Sequence, residues 1–591
     1  MSHRKSLTLC WMLCVLGLVG CGGSSGGPRA AVDIPVLKLV PDNALAVVIF
    51  KNLSQLDEKL TQLGQKAGLP LPPNMLAMAH EKMGLKDGLD DKGSVVLAVL
   101  PGEGPLDKAP PSAVLFLPVT DYDKFIAQLD PQKGSDGVSQ IQFGPGPRSP
   151  VAKKGNYAAI APPMNEGALK SALSSKADIS SELASVSGWL ADQDIAAVAT
   201  TAGIKAAVGP AREGLQKVKK SLPPDNPQFG NVAAAFDMYD ALFKACDEEL
   251  THIGIGLKAD KDSNVHITSH WGIKTGGSLA NALAGVKSLT EKPLADLPAG
   301  PFVFAMSGVV PEGMAHGSAA MMKFSPQTAG LTEEQSRKLE AMMVEMMKGM
   351  GSMSFVMGVP GDHDAMFQNS IATMHVENAP KYLETLLPKM QEMKQVYQAL
   401  KIPGADNFEA KALEVNGAKA IEFTMDLSAS LPPAADENAK RISDAMMAVM
   451  MGPGGKMTLT YIAADDKTIV ACYTGGEDAQ KKLAAYKNRS GSLASDAQTA
   501  KALALLPHDA QMVAVWDVPG TLSMVKQIMA KFAPDAPSAM IPTLPAMPPI
   551  GFAATVSAQS VDTDLVVPVE TIKAIAKTAQ DAMMHKKADA P

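Results

Sequence analysis

Three histidines are the first residues whose type and spacing suggest chemistry, because imidazole is a common metal ligand. His266 and His270 fall on one face of the predicted strand 265–271. Four strand residues separate the two rings by about 13 Å, too far to bind one ion alone, although His252 on the neighbouring predicted strand offers a third ring. No carboxylate on the strand itself orients these rings. We therefore expect a solvated strand face, and the sequence predicts no metal site and no cofactor.

Patterns typical of catalytic sites give little support to an enzyme. The chain has no H-E-x-x-H pattern, and Gly454-Gly455-Lys456 continues into Met457 rather than into the Ser or Thr of a phosphate-binding loop. Acid pairs such as Asp465-Asp466 lie beside predicted turns and helix starts, where a carboxylate stabilises the helix dipole. The sequence therefore predicts no catalytic residue. A hydrolase whose site is assembled from distant residues stays open as a less favoured alternative.

Methionine is the unusual part of the composition, with 35 residues in the chain. Thr332 and Gln335 predict the start of one helix, and a second apolar helix ends at the predicted stop 452–455. Their apolar residues recur every three to four positions, giving one face of Leu339, Met342, Met343, Met346, Met347 and Met350 and another of Ile442, Met446, Met447, Val449, Met450 and Met451.

Two interpretations of these methionine faces stay open, and a third, binding of cuprous copper by the thioethers, ranks below both. Flexible thioethers repack around varied apolar partners, so the faces can form a groove for acyl chains or a partner helix. The residues predicted to contact such a ligand are Met342, Met346, Met350, Met446 and Met450. The regular helical spacing favours the other interpretation, in which methionine fills an ordinary core.

The N-terminus has the order of an export signal. Arg4 and Lys5 precede an apolar run over 7–19, which is too short to span a bilayer permanently. The run ends in Leu18-Val19-Gly20-Cys21, which resembles the lipobox of bacterial lipoproteins. This resemblance implies cleavage before Cys21 and attachment of diacylglycerol to its sulfur, and each buried methylene contributes about 0.8 kcal/mol to membrane binding. The alternative is an ordinary signal peptide in which the cysteine is coincidental.

These features define the first two segments and the expected location. Residues 1–20 are predicted to be a lipoprotein signal peptide, and residues 21–32, rich in Gly and Ser, a flexible tether. We expect an extracytoplasmic protein that is lipid-anchored to the bacterial cell membrane or the outer membrane. Lys and Arg total 54 against 61 Asp and Glu, a formal net charge of −7, and no dense basic block occurs, so a nucleic-acid partner is not expected.

Cys246 and Cys472 are the cysteines that remain after the signal peptide and Cys21 are set aside. In an oxidising compartment the two can pair. Cys246 lies in a predicted helix and Cys472 in a predicted strand, each among apolar neighbours. Two separately buried thiols are therefore the favoured prediction.

An internal repeat organises the rest of the chain. A turn with proline and small polar residues, followed by a short apolar strand, occurs at 41–48, 298–304 and 507–515, with a weaker copy at 191–198. Further matches keep the same order and pair 119–126 with 376–383, 157–173 with 468–483, and 253–259 with 550–556. We therefore predict two homologous halves, 33–292 and 293–586, followed by a polar tail at 587–591.

The order of elements within each half predicts the fold class. Strands occur in tight pairs, which favours antiparallel or mixed sheets over strict βαβ winding. Helices between the strand groups are expected to cover one sheet face, giving an α+β fold with two duplicated halves. The second half is predicted to be longer mainly through its Met-rich helices. With 591 residues, 46% of them hydrophobic and 19% charged, the chain can bury substantial cores.

The combination of Cys21 with four turn-strand copies resembles a set of uncharacterised lipid-anchored proteins of planctomycete-type bacteria. The resemblance covers most of the mature chain and implies neither catalytic residues nor an activity. We expect a non-catalytic interaction or structural role in the cell envelope, with an unidentified envelope protein as partner. The alternative is a carrier or sensor of an apolar ligand that uses the Met-rich helices.

Overall fold

The computed structural model describes most of the chain beyond the predicted tether. The described residues are 32–102, 110–142, 146–221, 230–310, 333–361, 364–399, 405–426, 437, 447–449, 452, 455–532 and 541–588. The predicted signal peptide and Cys21 lie outside them, as do Met446 and Met450.

Twenty strands form one sheet in this part of the chain. The first ten are β1 (Ala46–Phe50), β2 (Val95–Leu100), β3 (Ser112–Pro118), β4 (Gln132–Lys133), β5 (Ser139–Ile141), β6 (Ser149–Lys154), β7 (Tyr157–Ile160), β8 (Ile195–Ala199), β9 (Leu250–Ala259) and β10 (Val265–Ile273). The second ten are β11 (Phe302–Val309), β12 (Met350–Gly358), β13 (Ile371–Val376), β14 (Phe408–Val415), β15 (Ala418–Asp426), β16 (Lys456–Ala463), β17 (Thr468–Cys472), β18 (Met512–Trp516), β19 (Ile550–Val556) and β20 (Ser560–Val567).

Helices lie between and after these strands. Those of the first half are α1 (Leu53–Ala67), α2 (Met75–Met83), α3 (Tyr122–Ala127), α4 (Glu166–Ser174), α5 (Ser187–Asp192), α6 (Thr201–Ser221), α7 (Gly230–Glu249) and α8 (Ser278–Leu283). Those of the second half are α9 (Glu333–Met347), α10 (Ala379–Ala399), α11 (Gly476–Lys487), α12 (Ala497–Leu503), α13 (Val518–Phe532) and α14 (Val569–Ala588). Helices and an antiparallel sheet together confirm the predicted α+β class.

The two sets of ten strands pair in the same order. The first set runs β4-β5-β6-β7-β3-β2-β1-β8-β9-β10, and all its pairings are antiparallel. The second set runs β14-β15-β16-β17-β13-β12-β11-β18-β19-β20, again antiparallel. The sets meet where β10 pairs with β20, from Val265 opposite Val567 to Gly272 opposite Ser560. One continuous sheet results.

The predicted turn-strand units are β1, β8, β11 and β18, which lie inside each set rather than at its edges. β1 pairs with β8, and β11 pairs with β18. In β1 the buried residues Val47 and Ile49 alternate with half-buried ones, as expected for a strand with both faces partly covered. The helix that follows begins where the Asn52 side chain accepts a hydrogen bond from the Gln55 N–H. Local sequence signals therefore account for these elements.

The first Met-rich helix is shorter than the sequence predicted. α9 ends at Met347, and Met350 is the first residue of β12. Gly349 between them has a φ of 81°, a left-handed conformation that glycine adopts without a steric penalty and that commonly ends a helix. At the C-terminus α14 runs through Ala588, beyond the predicted boundary at 586.

Cys246 and Cys472 are both free and buried. Cys246 packs in a cluster with Ile204 and Phe243 from α6 and α7. Cys472 packs in a different cluster, which includes Val356 and Val470 of the second set of strands. The favoured prediction of two separately buried thiols is confirmed.

Two glycines allow a helix to approach a strand closely, one in each half. A Cβ atom added to Gly203 in α6 would lie 1.8 Å from the carbonyl oxygen of Leu45, and one added to Gly520 in α13 would lie 1.8 Å from that of Phe302. Neither oxygen belongs to a flexible side chain that can move away. Alanine at either position therefore forces the helix and the strand apart.

Gly203→Ala and Gly520→Ala should each lower the free energy of unfolding by about 1–3 kcal/mol, as overpacking does. Gly214→Ala is the matched control, because Gly214 lies in the same helix as Gly203 and no atom lies within 4 Å of its added Cβ. This control should raise the free energy of unfolding by about 0.5–1 kcal/mol. Urea unfolding measures all three variants, and equal stabilities of G203A and G214A would contradict the close approach.

Candidate functional site

The methionines predicted to contact a ligand occupy different environments. Met342 is 3% exposed and belongs to the core. Met346 and Met350 are half-buried and pack against a cluster that includes Leu383 and Met390 of α10. Each of these two also reaches an open cleft. Core filling therefore accounts for Met342, while Met346 and Met350 keep both interpretations open.

The larger cleft lies where α9 ends and the chain turns into β12. Its volume is about 900 Å³, within the usual range of small-molecule sites. Its apolar side chains are Val310, Val344, Met347, Met350 and Val376. Its charged lining consists of Lys287, Glu345, Lys348, His375, Glu377 and Lys467. This combination suits a ligand with an apolar body and a charged end.

A smaller cleft of about 400 Å³ adjoins the larger one and shares Glu345 and Lys348 with it. Met346 and Tyr382 contribute to its lining. The Tyr382 hydroxyl donates a hydrogen bond to the Met346 carbonyl oxygen, and burial raises the pKa of Tyr382 to about 12. Tyr382 is therefore neutral and ties α10 to the end of α9.

A histidine and two carboxylates lie beside the larger cleft. Nε2 of His375 is 2.6 Å from Oδ2 of Asp296 and 3.6 Å from Oε2 of Glu291. The hydrogen bond to Asp296 raises the pKa of His375, and the same bond lowers the pKa of Asp296. Each shift favours the charged form of its group, so the two groups form an ion pair across a wide pH range.

The sheet and a tight turn position this pair. His375 lies on β13, between β12 and β17. Asp296 lies in the turn before β11, flanked by the buried residues Leu294 and Leu297. The Leu294 N–H donates a hydrogen bond to the Ser307 hydroxyl at 2.8 Å. The turn is therefore anchored in the core, and the carboxylate of Asp296 is held beside the sheet.

The histidines of β9 and β10 are buried, so the predicted solvated strand face is wrong. His252, His266 and His270 are 3%, 7% and 8% exposed. Nδ1 of His266 is 3.0 Å from Oδ1 of Asp564, and Nδ1 of His270 is 2.6 Å from Oδ1 of Asp562. These carboxylates belong to β20, almost 300 positions away in the sequence. They were missed because sequence reasoning considered neighbours along the chain, although the alternation Asp562-Thr563-Asp564 was a usable signal.

His252 is the third buried histidine of this part of the sheet, and it does not form a metal-binding cluster with the other two. Its ring stacks on that of His270, with centroids 5.1 Å apart and planes 6° apart. Its Nδ1 is 3.0 Å from the Thr251 hydroxyl. Its buried Nε2 forms no hydrogen bond with any of the described residues. Burial, followed by the charge of His270, lowers the pKa of His252 to about 4. His266 bonds separately to Asp564, so the three rings do not converge on one point.

Comparison with known proteins brings no assignment. No family model matches the chain, and neither a curated protein nor a solved structure matches it. Of the helices that the structure describes, none has both the length and the apolar composition needed to cross a bilayer.

Stability should fall on acidification because of His252. Its pKa is about 4 in the folded protein and 6.5 in the unfolded chain, so the unfolded state binds the proton first as the pH falls. The loss therefore occurs between pH 6.5 and 4, and this group contributes about 2 kcal/mol of it between pH 7 and 5. Urea unfolding of the wild type and of His252→Phe, which keeps a ring beside His270, measures the difference. The same loss in both proteins would contradict this role of His252.

Proposed function

We propose that the chain is a lipid-anchored extracytoplasmic protein with a non-catalytic interaction or structural role in the cell envelope. The observation that carries the proposal is Leu18-Val19-Gly20-Cys21 at the end of a short apolar run. Its resemblance to a lipobox implies a diacylglycerol anchor on Cys21. Cys21 together with the four turn-strand copies gives the chain its resemblance to lipid-anchored proteins of planctomycete-type bacteria.

The folded body begins close to the proposed anchor. The first described helical turn, Pro35–Leu39, packs Val36 and Leu37 into the core. Thirteen residues, 22–34, separate Cys21 from this turn. Such a segment spans at most about 45 Å when fully extended. An acylated Cys21 would therefore keep the body near the membrane surface, where envelope proteins and lipids are its available partners.

The proposal includes a body made of two duplicated halves, 33–292 and 293–586. The identical pairing order of the two sets of strands supports it, and so does a local detail. The Gly203 N–H donates to the Thr200 hydroxyl at 3.1 Å, and the Gly520 N–H donates to the Asp517 carboxylate at 2.8 Å. A Cβ atom added to either glycine would also lie 1.8 Å from a backbone carbonyl oxygen, that of Leu45 just before β1 or that of Phe302 in β11. An α+β class by itself does not require such agreement.

The buried polar groups favour a structural role over a catalytic one. His266 and His270 use their Nδ1 atoms to bond carboxylates of a paired strand, and neither ring lines the cleft beside α9. Groups held in this way stabilise the junction of the two halves. The larger cleft, beside α9, offers a surface to which a partner or ligand can bind.

Metabolic labelling with a palmitate analogue should mark the wild-type protein and leave Cys21→Ser unmarked, because serine has no sulfur to form the thioether with diacylglycerol. Gel detection of the analogue after expression in a bacterial host measures this. Cys14→Ser is the matched control, since Cys14 lies in the predicted signal peptide and leaves with it. Label retained by C21S, or a mature wild-type protein found free in the cytosol, would contradict the anchor.

A second candidate function is that of a carrier or sensor of an apolar ligand with a charged end. The cleft of about 900 Å³ favours it, because Met347 and Met350 line the same space as Lys287, Lys348 and Lys467. An acyl chain against the thioethers would place its carboxylate within reach of the ammonium groups. A carboxylate paired with lysine gains charge-assisted hydrogen bonds.

A photoreactive long-chain fatty acid should crosslink to the cleft peptides of the protein in native envelope membranes. The double variant M347Q/M350Q should reduce this crosslinking by about tenfold, because each amide removes apolar contact area. Met83→Gln is the control, since Met83 is exposed in the first half. Mass spectrometry locates the crosslinks. Equal crosslinking of M83Q and of the double variant would contradict the carrier.

A further inference from the structure

We propose that Glu291, Asp296 and His375 bind a divalent transition-metal ion, such as zinc, beside the larger cleft. This inference is independent of the lipid anchor and of the acyl-chain carrier. The sequence predicted no metal site at these residues.

The three side chains converge on one point. Each offers one ligand atom, and these atoms all lie within 4.8 Å of one another. In a tetrahedral zinc site, bonds of about 2.0–2.1 Å place neighbouring ligand atoms about 3.3 Å apart. Nε2 of His375 is 2.6 Å from Asp296 and 3.6 Å from Glu291, on either side of that value. Metal binding would displace the proton of the hydrogen bond between His375 and Asp296.

The ligand types select the metal. One imidazole nitrogen and two carboxylate oxygens suit zinc and its first-row neighbours, whereas magnesium and calcium favour sites made of oxygen alone. Three protein ligands leave at least one coordination position for water or another ligand. His375 lines the cleft of about 900 Å³, and Glu291 lines another cleft of about 270 Å³, so two of the three ligands border open space.

The supports of the ligands differ in rigidity. His375 lies within the sheet, and Asp296 lies in a turn anchored by buried leucines. Glu291 has a side chain that is 60% exposed, so it can move onto the ion. Two rigid ligands and one adjustable ligand allow the cluster to close around the ion without disturbing the fold.

Both negative and positive side chains surround the three ligands. The Asp465 carboxylate acts on His375 and adds negative charge, while Arg489 acts on Asp296 with positive charge. Lys287 and Lys467 line the same cleft. These cations oppose a free metal ion, but they would favour an anionic group that binds to it from the cleft.

The predicted repeat gives this cluster no second copy at the matching positions of the first half, although Glu291 itself lies just before the predicted boundary at 292. Pro41 matches Pro298 in the sequence repeat and Val119 matches Val376, an offset of 257 in both cases. The same offset places Ile34, Leu39 and Pro118 of the first half at the positions of Glu291, Asp296 and His375. None of these three first-half residues has a ligand atom in its side chain. At each of the three positions, the first copy of the repeat has a residue that cannot bind a metal ion, and the second copy has a residue that can.

Zinc titration of the full-length protein tests the proposal. The purified protein in detergent, stripped of metal with a chelator, is titrated with zinc at pH 8, which favours a neutral imidazole. Calorimetry and elemental analysis after dialysis should give a single zinc ion bound per chain. His375→Ala and Glu291→Gln should weaken binding at least about tenfold. Glu291→Gln decides if His375→Ala fails to fold, because Glu291 is exposed and its substitution leaves the core unchanged.

His80→Ala is the matched control. Nε2 of His80 is 3.1 Å from Asp91, a similar histidine–aspartate pair, and this pair belongs to no cluster of three possible ligands in the described chain. Zinc binding by H80A should equal that of the wild type. Cobalt offers a second measurement, since a site with an imidazole ligand should give visible absorption bands that E291Q weakens. Failure of the wild type to bind zinc, or equal zinc binding by H80A, H375A and E291Q, would overturn the proposal.

Discussion

The pairing of β10 with β20 is the interaction on which the architecture depends. Each set of ten strands would otherwise end in an open edge, a row of unpaired N–H and C=O groups that invites association with other chains. The pairing extends from Val265 opposite Val567 to Gly272 opposite Ser560, so the edge of each set is satisfied by the other. The sheet therefore continues through both halves, and neither half presents this edge to solvent.

Side chains at the junction make this pairing specific. Two His–Asp pairs flank a contact between the hydroxyls of Ser269 and Thr563, which are 2.7 Å apart. Leaving a buried polar group without a hydrogen-bond partner is destabilising, so each histidine needs its aspartate. A register shift of one residue would turn Asp562 and Asp564 to the opposite face of the sheet. The polar pairs therefore fix the register of the two halves in a way that apolar contacts alone would not.

The two sets of ten strands share one pairing order but carry different side chains at the ends of their strands. In the predicted repeat, Leu37 and Val40 match Leu294 and Leu297, and all four residues are buried. The neighbouring half-buried positions differ instead, and one of them is Asp296. Core positions are constrained by packing density, whereas loop positions tolerate substitution. This explains how one half can hold a charged cleft while the strand order of both halves stays the same.

Local patterns in the sequence determined the secondary elements and the fold class. The turn-strand units predicted β1, β8, β11 and β18, and tight strand pairs predicted an antiparallel arrangement, because both depend on residues close together in the chain. Met350 was wrongly placed in a helix, since periodicity alone does not show where Gly349 ends it. The solvated histidine face was wrong and the cluster at His375 was missed for a different reason. Asp564 reaches His266 across 298 positions, and Asp296 reaches His375 across 79. The sequence by itself therefore determined which residues form strands, while only the tertiary structure decided which strands become neighbours, because a side chain's partners depend on pairings between segments that lie far apart in the chain.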